Sequence, residues 1–388
     1  MLPTAERLLQ NVFGLSSFRP GQAEVVAAQL AGRDVLSVAP TGSGKSISYW
    51  IPALAGEGLT LVVSPLIALM KDQVDRLTSL GIKATFINSS LERPEQVARL
   101  RNARAGEYKL LYLAPERLSR PGFLDRLGEL PVDRVTVDEA HCISTWGHDF
   151  RPDYRLLGRA LEACGRPPVG AFTATATPRV RDDIAKSLWL RDPFISVTGF
   201  NRPNLRLQVV RCKGERAKLE TLQRLLRPGA GRALVYTGTV AAAEEVAKEV
   251  GGMPYHGRQE PELRRRVQDD YFSGRLRVVV ATSAFGMGVD LPDIRQVFHF
   301  HLPGSLEAYY QEAGRAGRDG EPAECVLLYS PADRDLQAFF LEQGGLTEEQ
   351  KANGYARLGQ IMAYAQLRTC RHARIADYFG EEGTPRTC

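Results

Sequence analysis

Short apolar runs alternate with longer amphipathic segments from residue 35 to about residue 330, and this rhythm constrains the fold more than any other feature of the chain. The runs show little polar alternation, which is typical of strands buried on both faces in mainly parallel sheets. In the first half they read RDVLSVAP, LTLVVSP, ATFIN, KLLYLAP, RVTVDEA and VGAFTATAT. In the second half they read LRLQVV, RALVYTG, RVVVATSAF, QVFHFHLP and ECVLLYS. The pattern predicts an α/β fold with two tandem parallel sheets.

The rhythm stops and restarts near residues 198–205, where Gly, Asn and Pro cluster and indicate a junction. We therefore predict one domain over residues 1–199 and a second over residues 200–333. The strands end after SPAD, and residues 334–388 are predicted to be a short helical region.

Bulk composition excludes several classes of protein. The chain has 388 residues, 44% hydrophobic and 24% charged, and a formal net charge of +5, a mild bias toward polyanionic partners. No apolar run approaches the ~20 residues that a membrane span requires. The N-terminal MLPTAERLLQNVFG carries charged residues among its apolar ones and does not resemble a secretory signal. These features predict a cytoplasmic protein with no membrane partner.

A strand, a Gly-rich turn and a helix start coincide at APTGSGKS, residues 39–46. Gly42 and Gly44 let backbone N–H groups turn toward phosphate oxygens, and the helix N-terminus adds its positive end. Lys45 is predicted to reach the β- and γ-phosphates of ATP, and Ser46 to hold Mg²⁺. The remaining predicted contacts of this loop are Thr41 and Ser43.

A second motif, RVTVDEAH, ends an apolar strand in two carboxylates. Asp138 is predicted to bind Mg²⁺ directly or through water, and Glu139 to polarise the attacking water. An acidic surface turn is the alternative for any such pair, but the phosphate loop upstream favours a nucleoside triphosphatase.

Aromatic residues follow this acidic pair in STWGHDFRPDY, spaced by four as on one face of a core helix. Gly147 disfavours a helix interior and Pro152 favours a helix start, so we predict a loop followed by a helix from about Pro152. Tyr154 then belongs to the core. Trp146 and Phe150 stay on the loop, where they can stack on unpaired bases, unless they are packed into the first domain's core.

Taken in order, the motifs resemble superfamily 2 helicases, and among them the RecQ-type DNA helicases. The resemblance covers essentially the whole chain, and the aromatic segment with FRPGQ separates it from RNA helicases. It rests on FGLSSFRPGQ, APTGSGKS, SPLIALMKDQV, LAPERL, DEAH, the aromatic segment, FTATAT, ATSAFGMGVDLP and QEAGRAGRDG. It implies two RecA-like domains.

The resemblance also implies roles for single residues. Gln22 and Arg19 are expected at the nucleotide, the former at the adenine edge. Arg315 and Arg318, three apart and therefore predicted on one helical face, are expected at the γ-phosphate, with Gln311 nearby. Three residues are expected to couple the sites: His141, Thr173 and Thr175. Further expected DNA contacts are Arg151, Ser64, Lys71, Arg117 and Thr282.

The last segment, AQLRTCRHARIADYFGEEGTPRTC, resembles the start of a RecQ zinc module. Cys370 and Cys388 match its first two ligands, and a structural Zn²⁺ needs four. His372 is a weaker candidate for a third ligand. The sequence therefore predicts an incomplete zinc site.

The resemblance to RecQ-type helicases implies an ATP-dependent helicase that moves 3′ to 5′ on single-stranded DNA and unwinds duplexes in repair and recombination. Expected partners are single-stranded and forked DNA, single-strand-binding protein and other repair factors, in a bacterial-type cytoplasm at the nucleoid. Two alternatives remain open: a superfamily 2 RNA helicase, and a DNA-binding or strand-annealing protein that does not hydrolyse ATP.

Overall fold

The computed structural model describes residues 2–147, 149–286 and 291–381, and the chain divides into two compact units, residues 1–199 and 200–388. Each unit contains one sheet in which every described strand pair is parallel. Helices connect the strands, as the sequence rhythm predicts. The α/β fold class is confirmed for both units.

The first unit holds a seven-stranded sheet of order β3-β4-β2-β5-β6-β1-β7. Its strands are β1 Val35–Val38, β2 Leu59–Val63, β3 Ala84–Ile87, β4 Leu110–Leu113, β5 Val132–Val137, β6 Val169–Thr173 and β7 Phe194–Val197. Its helices are α1 Leu2–Phe13, α2 Gln22–Leu30, α3 Lys45–Ala55, α4 Ile67–Ser79, α5 Arg93–Arg104, α6 Phe123–Gly128, α7 Leu157–Ala163 and α8 Pro178–Ser187. Three short 3₁₀ helices span Pro115–Arg117, Ala140–Ile143 and Pro152–Leu156.

The second unit holds a six-stranded sheet of order β10-β11-β9-β12-β13-β8. Its strands are β8 Leu205–Arg211, β9 Arg232–Tyr236, β10 Met253–Tyr255, β11 Val278–Ala281, β12 Ile294–His299 and β13 Ala323–Tyr329. Its helices are α9 Gly214–Leu225, α10 Val240–Val250, α11 Pro261–Phe272, α12 Leu306–Ala313, α13 Asp333–Gln343, α14 Glu348–Ala365 and α15 Arg371–Phe379.

The C-terminal helices pack on the rest of the second unit through aromatic side chains. Phe379 of α15 is fully buried, and its ring stacks on Phe200 with 4.3 Å between centroids. Tyr364 of α14 is also buried, against Tyr309 of α12. The described part of the predicted helical region is therefore packed on Phe200 and on α12 of the second unit.

Both cores form because the central strands are apolar on both faces. Strands β1, β2 and β4 of the first unit and β11 of the second are buried at every position. The helix residues Tyr49, Trp50 and Ile51, which belong to the first core, are buried as well. No helix among the described residues is long and apolar enough to cross a bilayer.

Asp34 fastens three strands of the first unit at their amino ends. Its carboxylate is 5% exposed and accepts hydrogen bonds from the backbone N–H of Val169 at 2.8 Å and of Arg191 at 2.7 Å. The same carboxylate accepts one from the Arg166 guanidinium at 2.9 Å. Its own carbonyl accepts from the N–H of Phe194, the first residue of β7. One side chain thus joins β1 to the chain on both sides of it.

We expect Asp34→Ala to lower the free energy of unfolding of the first unit by about 3 kcal/mol, because it leaves buried donors without an acceptor. All three tryptophans lie in this unit, so urea unfolding followed by tryptophan fluorescence measures the change. Asp34→Asn, which keeps one acceptor oxygen, should lose less. Asp182→Ala, at an exposed position of α8, should change stability by less than about 0.5 kcal/mol. Equal losses of unfolding free energy in the Asp34→Ala and Asp182→Ala variants would contradict the stabilising role assigned to the Asp34 carboxylate.

Candidate nucleotide and nucleic-acid sites

The predicted phosphate loop lies between β1 and α3 and takes the backbone conformation that its glycines permit. Gly42 and Gly44 have φ angles of 79° and 83°, in the left-handed region that favours glycine. A Cβ on Gly44 would stand 2.7 Å from Nε2 of Gln22. Helix α3 begins directly after Gly44, so its first N–H groups and its positive dipole end face the loop. This is a cradle suited to a polyphosphate.

Side chains of the loop add donors to the backbone cradle. The Lys45 ammonium donates to the carbonyl oxygens of Ala39 at 2.8 Å and Pro40 at 3.0 Å. The hydroxyl oxygen of Ser43 is buried with no hydrogen-bond partner among the described residues. The hydroxyl group of Ser46 lies 3.3 Å from that of Tyr49. A cation and several hydroxyl and amide donors at a helix N-terminus fit a nucleoside triphosphate with its Mg²⁺.

The FRPGQ motif braces this loop. The side-chain oxygen of Gln22 accepts from the N–H of Arg19 at 2.8 Å, and Nε2 donates to the carbonyls of Ser43 and Gly44, both at 3.0 Å. The Arg19 guanidinium donates to the carbonyl of Gly42. All polar atoms of the Gln22 side chain therefore have protein partners. The adenine contact expected of Gln22 stays a prediction.

Asp138 follows β5 and continues its pairing, because its N–H donates to the carbonyl of Val63 at 2.8 Å. The side chain is buried, and burial raises the pKa of its carboxyl group to about 7, helped by the neighbouring Glu139 and opposed by Lys45. The buried carboxylate is poorly solvated, and a nearby cation would stabilise its charged form. This is the electrostatic environment of a divalent-metal ligand.

Glu139 has a left-handed backbone, with φ of 47°, which is uncommon for a residue other than glycine. Its N–H donates to Oδ1 of Asp138 at 3.0 Å. Such strain is concentrated at functional sites and costs on the order of 1–3 kcal/mol.

His141 links this turn to the end of β6. Its Nδ1 lies 2.7 Å from Oγ1 of Thr173 and 3.4 Å from Oε2 of Glu139. Oγ1 of Thr173 also accepts from the N–H of Thr175 at 3.3 Å. All of these side chains except that of Glu139, which is 12% exposed, are nearly inaccessible to water. The structure thus brings the three residues expected to couple the sites into one hydrogen-bonded cluster; the coupling role itself stays a prediction.

The aromatic segment forms a tight loop between the second and third 3₁₀ helices. The N–H of Trp146 donates to Oγ of Ser144 at 3.2 Å, and the N–H of Gly147 to the Ser144 carbonyl at 3.0 Å. The N–H of Arg151 donates to the carbonyl of Cys142 at 2.9 Å. A Cβ on Gly147 would stand 2.5 Å from the His141 carbonyl oxygen, so this turn requires glycine. The loop is therefore fastened to the DEAH segment at both ends.

The three aromatic rings divide as predicted. Tyr154 is fully buried, and its hydroxyl donates to the carbonyl of Asp138 at 3.0 Å. Trp146 and Phe150 are half-buried, which is compatible with a base-stacking role and excludes full burial in the core. The helix expected from Pro152 is present as one 3₁₀ turn that continues into α7.

Each loop aromatic is covered by a guanidinium group. That of Arg179 lies 3.0 Å from the ring centroid of Trp146, and that of Arg155 lies 4.9 Å from the centroid of Phe150. We made no prediction for these two arginines from sequence. A basic residue in the first turn of a helix, where it opposes the dipole, is the signal that could have drawn attention to Arg179.

The other predicted DNA contacts of the first unit differ in accessibility. Lys71 is exposed and pairs with Asp75 at 2.9 Å. Arg151 donates to Asp149 at 3.1 Å and to the carbonyl of Pro65 at 3.3 Å. Arg117 donates to Oε1 of Gln96 at 2.6 Å, and partial burial lowers its pKa. Ser64 is only 1% exposed, so a DNA contact there would require the chain around it to move.

In the second unit, Gln311 lies on α12, but the two arginines do not. Helix α12 ends at Ala313, and Arg315 and Arg318 lie in the turns that follow it. The prediction that they share a helical face is wrong, because glycines end the helix. Gly317 has φ of 52°, and its carbonyl accepts from Asn204 and Arg202 at 2.8 and 2.7 Å. Arg315 is 4% exposed, and its charge opposes the increase that burial causes in the pKa of Tyr236.

The remaining predicted sites are the DNA contact of Thr282 and the zinc site. Thr282 follows β11, is half-buried, and its hydroxyl oxygen accepts from the N–H of Ala284 at 3.4 Å. Cys370 precedes α15, and Cys388 lies outside the described residues. Nε2 of His372 lies 3.0 Å from the carbonyl oxygen of Leu205 and is hydrogen-bonded to it. Cys370, the one predicted cysteine ligand among the described residues, is disulfide-bonded and is not a free thiol. A structural Zn²⁺ needs four ligands, so zinc binding stays a prediction.

Known families match the chain in three consecutive segments. The DEAD/DEAH box helicase family matches residues 19–184, the helicase conserved C-terminal domain matches residues 217–320, and the RecQ zinc-binding family matches residues 331–388. A probable ATP-dependent DNA helicase RecS of Bacillus subtilis is 41% identical over 355 residues, covering 90% of this chain and 71% of the relative. The chain belongs to the RecQ helicase family.

Other similarities agree with this assignment. The ATP-dependent DNA helicase RecQ of Bacillus subtilis is 44% identical over 397 residues, covering all of this chain but only 66% of the relative's length. A structure of the Mycobacterium smegmatis helicase Lhr superposes with a TM-score of 0.65 at 21% identity, covering 96% of this chain and 55% of that one. At that identity the similarity shows the fold alone.

The raised pKa of Asp138 predicts how stability depends on pH. A carboxyl group whose pKa is higher in the folded protein lowers stability above its unfolded pKa, and the full cost is present above about pH 7. Well below the unfolded pKa of about 3.9 both states are protonated and the cost disappears. Without Mg²⁺, Asp138→Asn should therefore raise the free energy of unfolding at pH 8 by roughly 2–4 kcal/mol, and change it little at pH 4.

Urea titrations in the presence of a chelator, followed by tryptophan fluorescence, measure this difference. Asp182→Asn serves as the control at an exposed position and should show no such pH dependence. A constant difference between wild type and Asp138→Asn from pH 4 to pH 8 would mean that burial does not perturb this carboxyl group.

Proposed function

We propose that this protein is an ATP-dependent DNA helicase that couples ATP hydrolysis to 3′-to-5′ movement on single-stranded DNA and to duplex unwinding. The observation that carries the proposal is the short path between two predicted sites. The buried Asp138–Glu139 turn continues through His141 and Cys142 directly into a fastened loop that presents Trp146 and Phe150. One segment of chain thus serves both a hydrolysis site and a base-stacking surface.

The nucleotide binds the phosphate loop in this proposal. Backbone N–H groups from residue 42 onward, the Lys45 ammonium and the Ser43 hydroxyl hold the phosphates, while the FRPGQ motif fixes the loop and selects adenine. Ser46 and Asp138 hold Mg²⁺, which neutralises phosphate charge when bound. Glu139 orients the attacking water and accepts its proton.

DNA acts on hydrolysis through the aromatic loop. A base that stacks on Trp146 gains about 1–3 kcal/mol and fixes the loop's position. The loop is hydrogen-bonded to Cys142 and Ser144, so its position sets that of His141. Nδ1 of His141 lies 3.4 Å from Oε2 of Glu139, and this contact transmits the change to the carboxylate. DNA binds one position of the loop more tightly than another, and this difference in affinity couples the DNA site to the hydrolysis site.

The second unit supplies Gln311, Arg315 and Arg318 in the proposal. Arginines that bind the γ-phosphate raise hydrolysis rates by a factor on the order of 10³–10⁵ in related phosphoryl-transfer enzymes, and hydrolysis removes the group that they bind. Repeated binding and release of this phosphate drives a motor when both units hold the same strand.

We further propose single-stranded and forked DNA as the substrates, with single-strand-binding protein and other repair factors as partners at the nucleoid of a bacterial cytoplasm. Support for a nucleic-acid substrate comes from the net charge of +5 and from the arginines around the aromatic loop. Zn²⁺ is proposed only for a complete module that adds ligands to Cys370 and Cys388.

We expect residues 1–388 to hydrolyse ATP and to do so much faster with single-stranded DNA than without it. Lys45→Ala should abolish hydrolysis, because it removes the cation at the phosphates. Trp146→Ala should reduce the ratio of the rates with and without DNA toward one, since the ring on which a base would stack is removed. Release of phosphate measured with and without oligonucleotide checks both.

The same assay separates the alternatives. Equal stimulation by RNA and DNA would favour an RNA helicase. Unchanged ATP after long incubation, together with DNA binding, would favour a protein that binds or anneals DNA without hydrolysis. Trp189→Ala, a partly exposed tryptophan outside the loop, is the matched control and should keep the DNA stimulation.

A further inference from the structure

The contact between Arg179 and Trp146 has no evident role in stabilising the helix that supplies it. Arg179 is the second residue of α8, is exposed, and lies in the first turn. A cation there opposes the helix dipole, an unfavourable effect of about 0.3–1 kcal/mol at exposed sites. Its guanidinium nevertheless lies 3.0 Å from the ring centroid of Trp146. An unfavourable position for the helix is thus occupied by a group that covers a ring on another segment.

Cations surround the aromatic loop more generally. Arg155 covers the ring of Phe150 at 4.9 Å, and Arg151 pairs with Asp149 at 3.1 Å. A guanidinium stacks on an aromatic ring much as a base does, and it also binds a phosphate through two parallel hydrogen bonds. The group on Trp146 can therefore compete with a base for the ring and, once displaced, bind the backbone of the same strand.

We propose that Arg179 is a DNA-binding residue that exchanges partners. Without DNA its guanidinium covers Trp146; when a base stacks on that ring, the guanidinium moves to the adjacent phosphate. The inference rests on the proposed function, since it takes the loop to be the site of single-stranded DNA. It assigns to α8 a direct contact with the strand and a second role as a temporary cover of the ring.

The exchange has one cost and one gain. Base stacking must displace the guanidinium from the ring, which loses the cation–π contact, and the displaced charge gains a phosphate, which offsets the loss. Helix α8 also follows the TAT motif, separated from Thr175 only by Ala176 and Thr177. Movement of Arg179 therefore starts close to the residues that bind His141.

The first test measures the cover without DNA. In a Trp189→Phe background, Trp50 remains 1% exposed, so acrylamide quenching of the fluorescence reports mainly Trp146. Arg179→Ala should increase the quenching of the free protein, because it uncovers the ring. Single-stranded oligonucleotide should lower the quenching in the parent and in the variant. Equal quenching of the two free proteins would overturn the proposed cover.

The second test measures the binding of Arg179 to a phosphate. The slope of log K against log salt for single-stranded oligonucleotide decreases by about 0.7 for each phosphate that the protein no longer neutralises. Arg179→Ala should show that decrease, while Arg179→Lys, which keeps the charge, should keep the parent slope. Arg101→Ala, at an exposed position on α5 of the same unit, controls for a general loss of charge and should leave the slope unchanged.

The outcomes separate this inference from the proposed function. If the parent neither binds the oligonucleotide nor responds to it in hydrolysis, the proposed function fails and the inference fails with it. If the parent binds DNA and DNA protects Trp146, but Arg179→Ala keeps the parent slope, only the partner exchange is overturned. A slope reduced equally in Arg179→Ala and Arg101→Ala would also overturn it, because the effect would then be one of overall charge.

Discussion

The parallel pairing of β2, β5, β6 and β1 determines the chemistry of the first unit. Because neighbouring strands run in the same direction, their carboxyl ends lie along one edge of the sheet. Backbone hydrogen bonds extend the pairing past the strand ends: Ala39 donates to the carbonyl of Thr173, and Asp138 donates to that of Val63. The phosphate loop, the acidic turn and the TAT motif are therefore held side by side by the sheet, and the hydrogen bond between His141 and Thr173 adds a side-chain contact between the last two.

At this edge the charged form of Asp138 is destabilised by burial, and the fold compensates only part of that cost. Burial and Glu139 together raise the pKa of Asp138, and Lys45 compensates only in part. In the proposed function, a divalent cation and a triphosphate remove this penalty when they bind, so that ligand binding stabilises the folded protein. The left-handed backbone of Glu139 is a second cost at the same turn, and the hydroxyl of Tyr154 below it holds the carbonyl of Asp138 in place.

Sequence predicted most of this architecture because its signals are local. Uninterrupted apolar runs predicted eleven strands correctly, and missed β7 and β10. Both are short, partly exposed edge strands, and β10 contains Pro254, so neither carries a long apolar run. The helical face predicted for Arg315 and Arg318 was wrong, since a spacing of three indicates a shared face only while the helix continues, and here glycines end it. The position of Tyr154 was predictable because Gly147 and Pro152 fix the local turn.

Contacts made across the fold could not be predicted in this way, and the arginine cover of the loop is the clearest case. Arg179 and Trp146 are thirty-three residues apart, a separation with no periodic signature, and they meet because α8 starts at the end of β6 beside the DEAH turn. His141 contacts the same segment from its buried side through Thr173. The chain from Thr173 to Arg179 thus contacts His141 at one end and Trp146 at the other. If DNA replaces Arg179 on Trp146, as proposed above, the change acts on a segment whose other end is hydrogen-bonded to His141. The proposed path from DNA to Glu139 then has two routes: one along the loop and one through the start of α8.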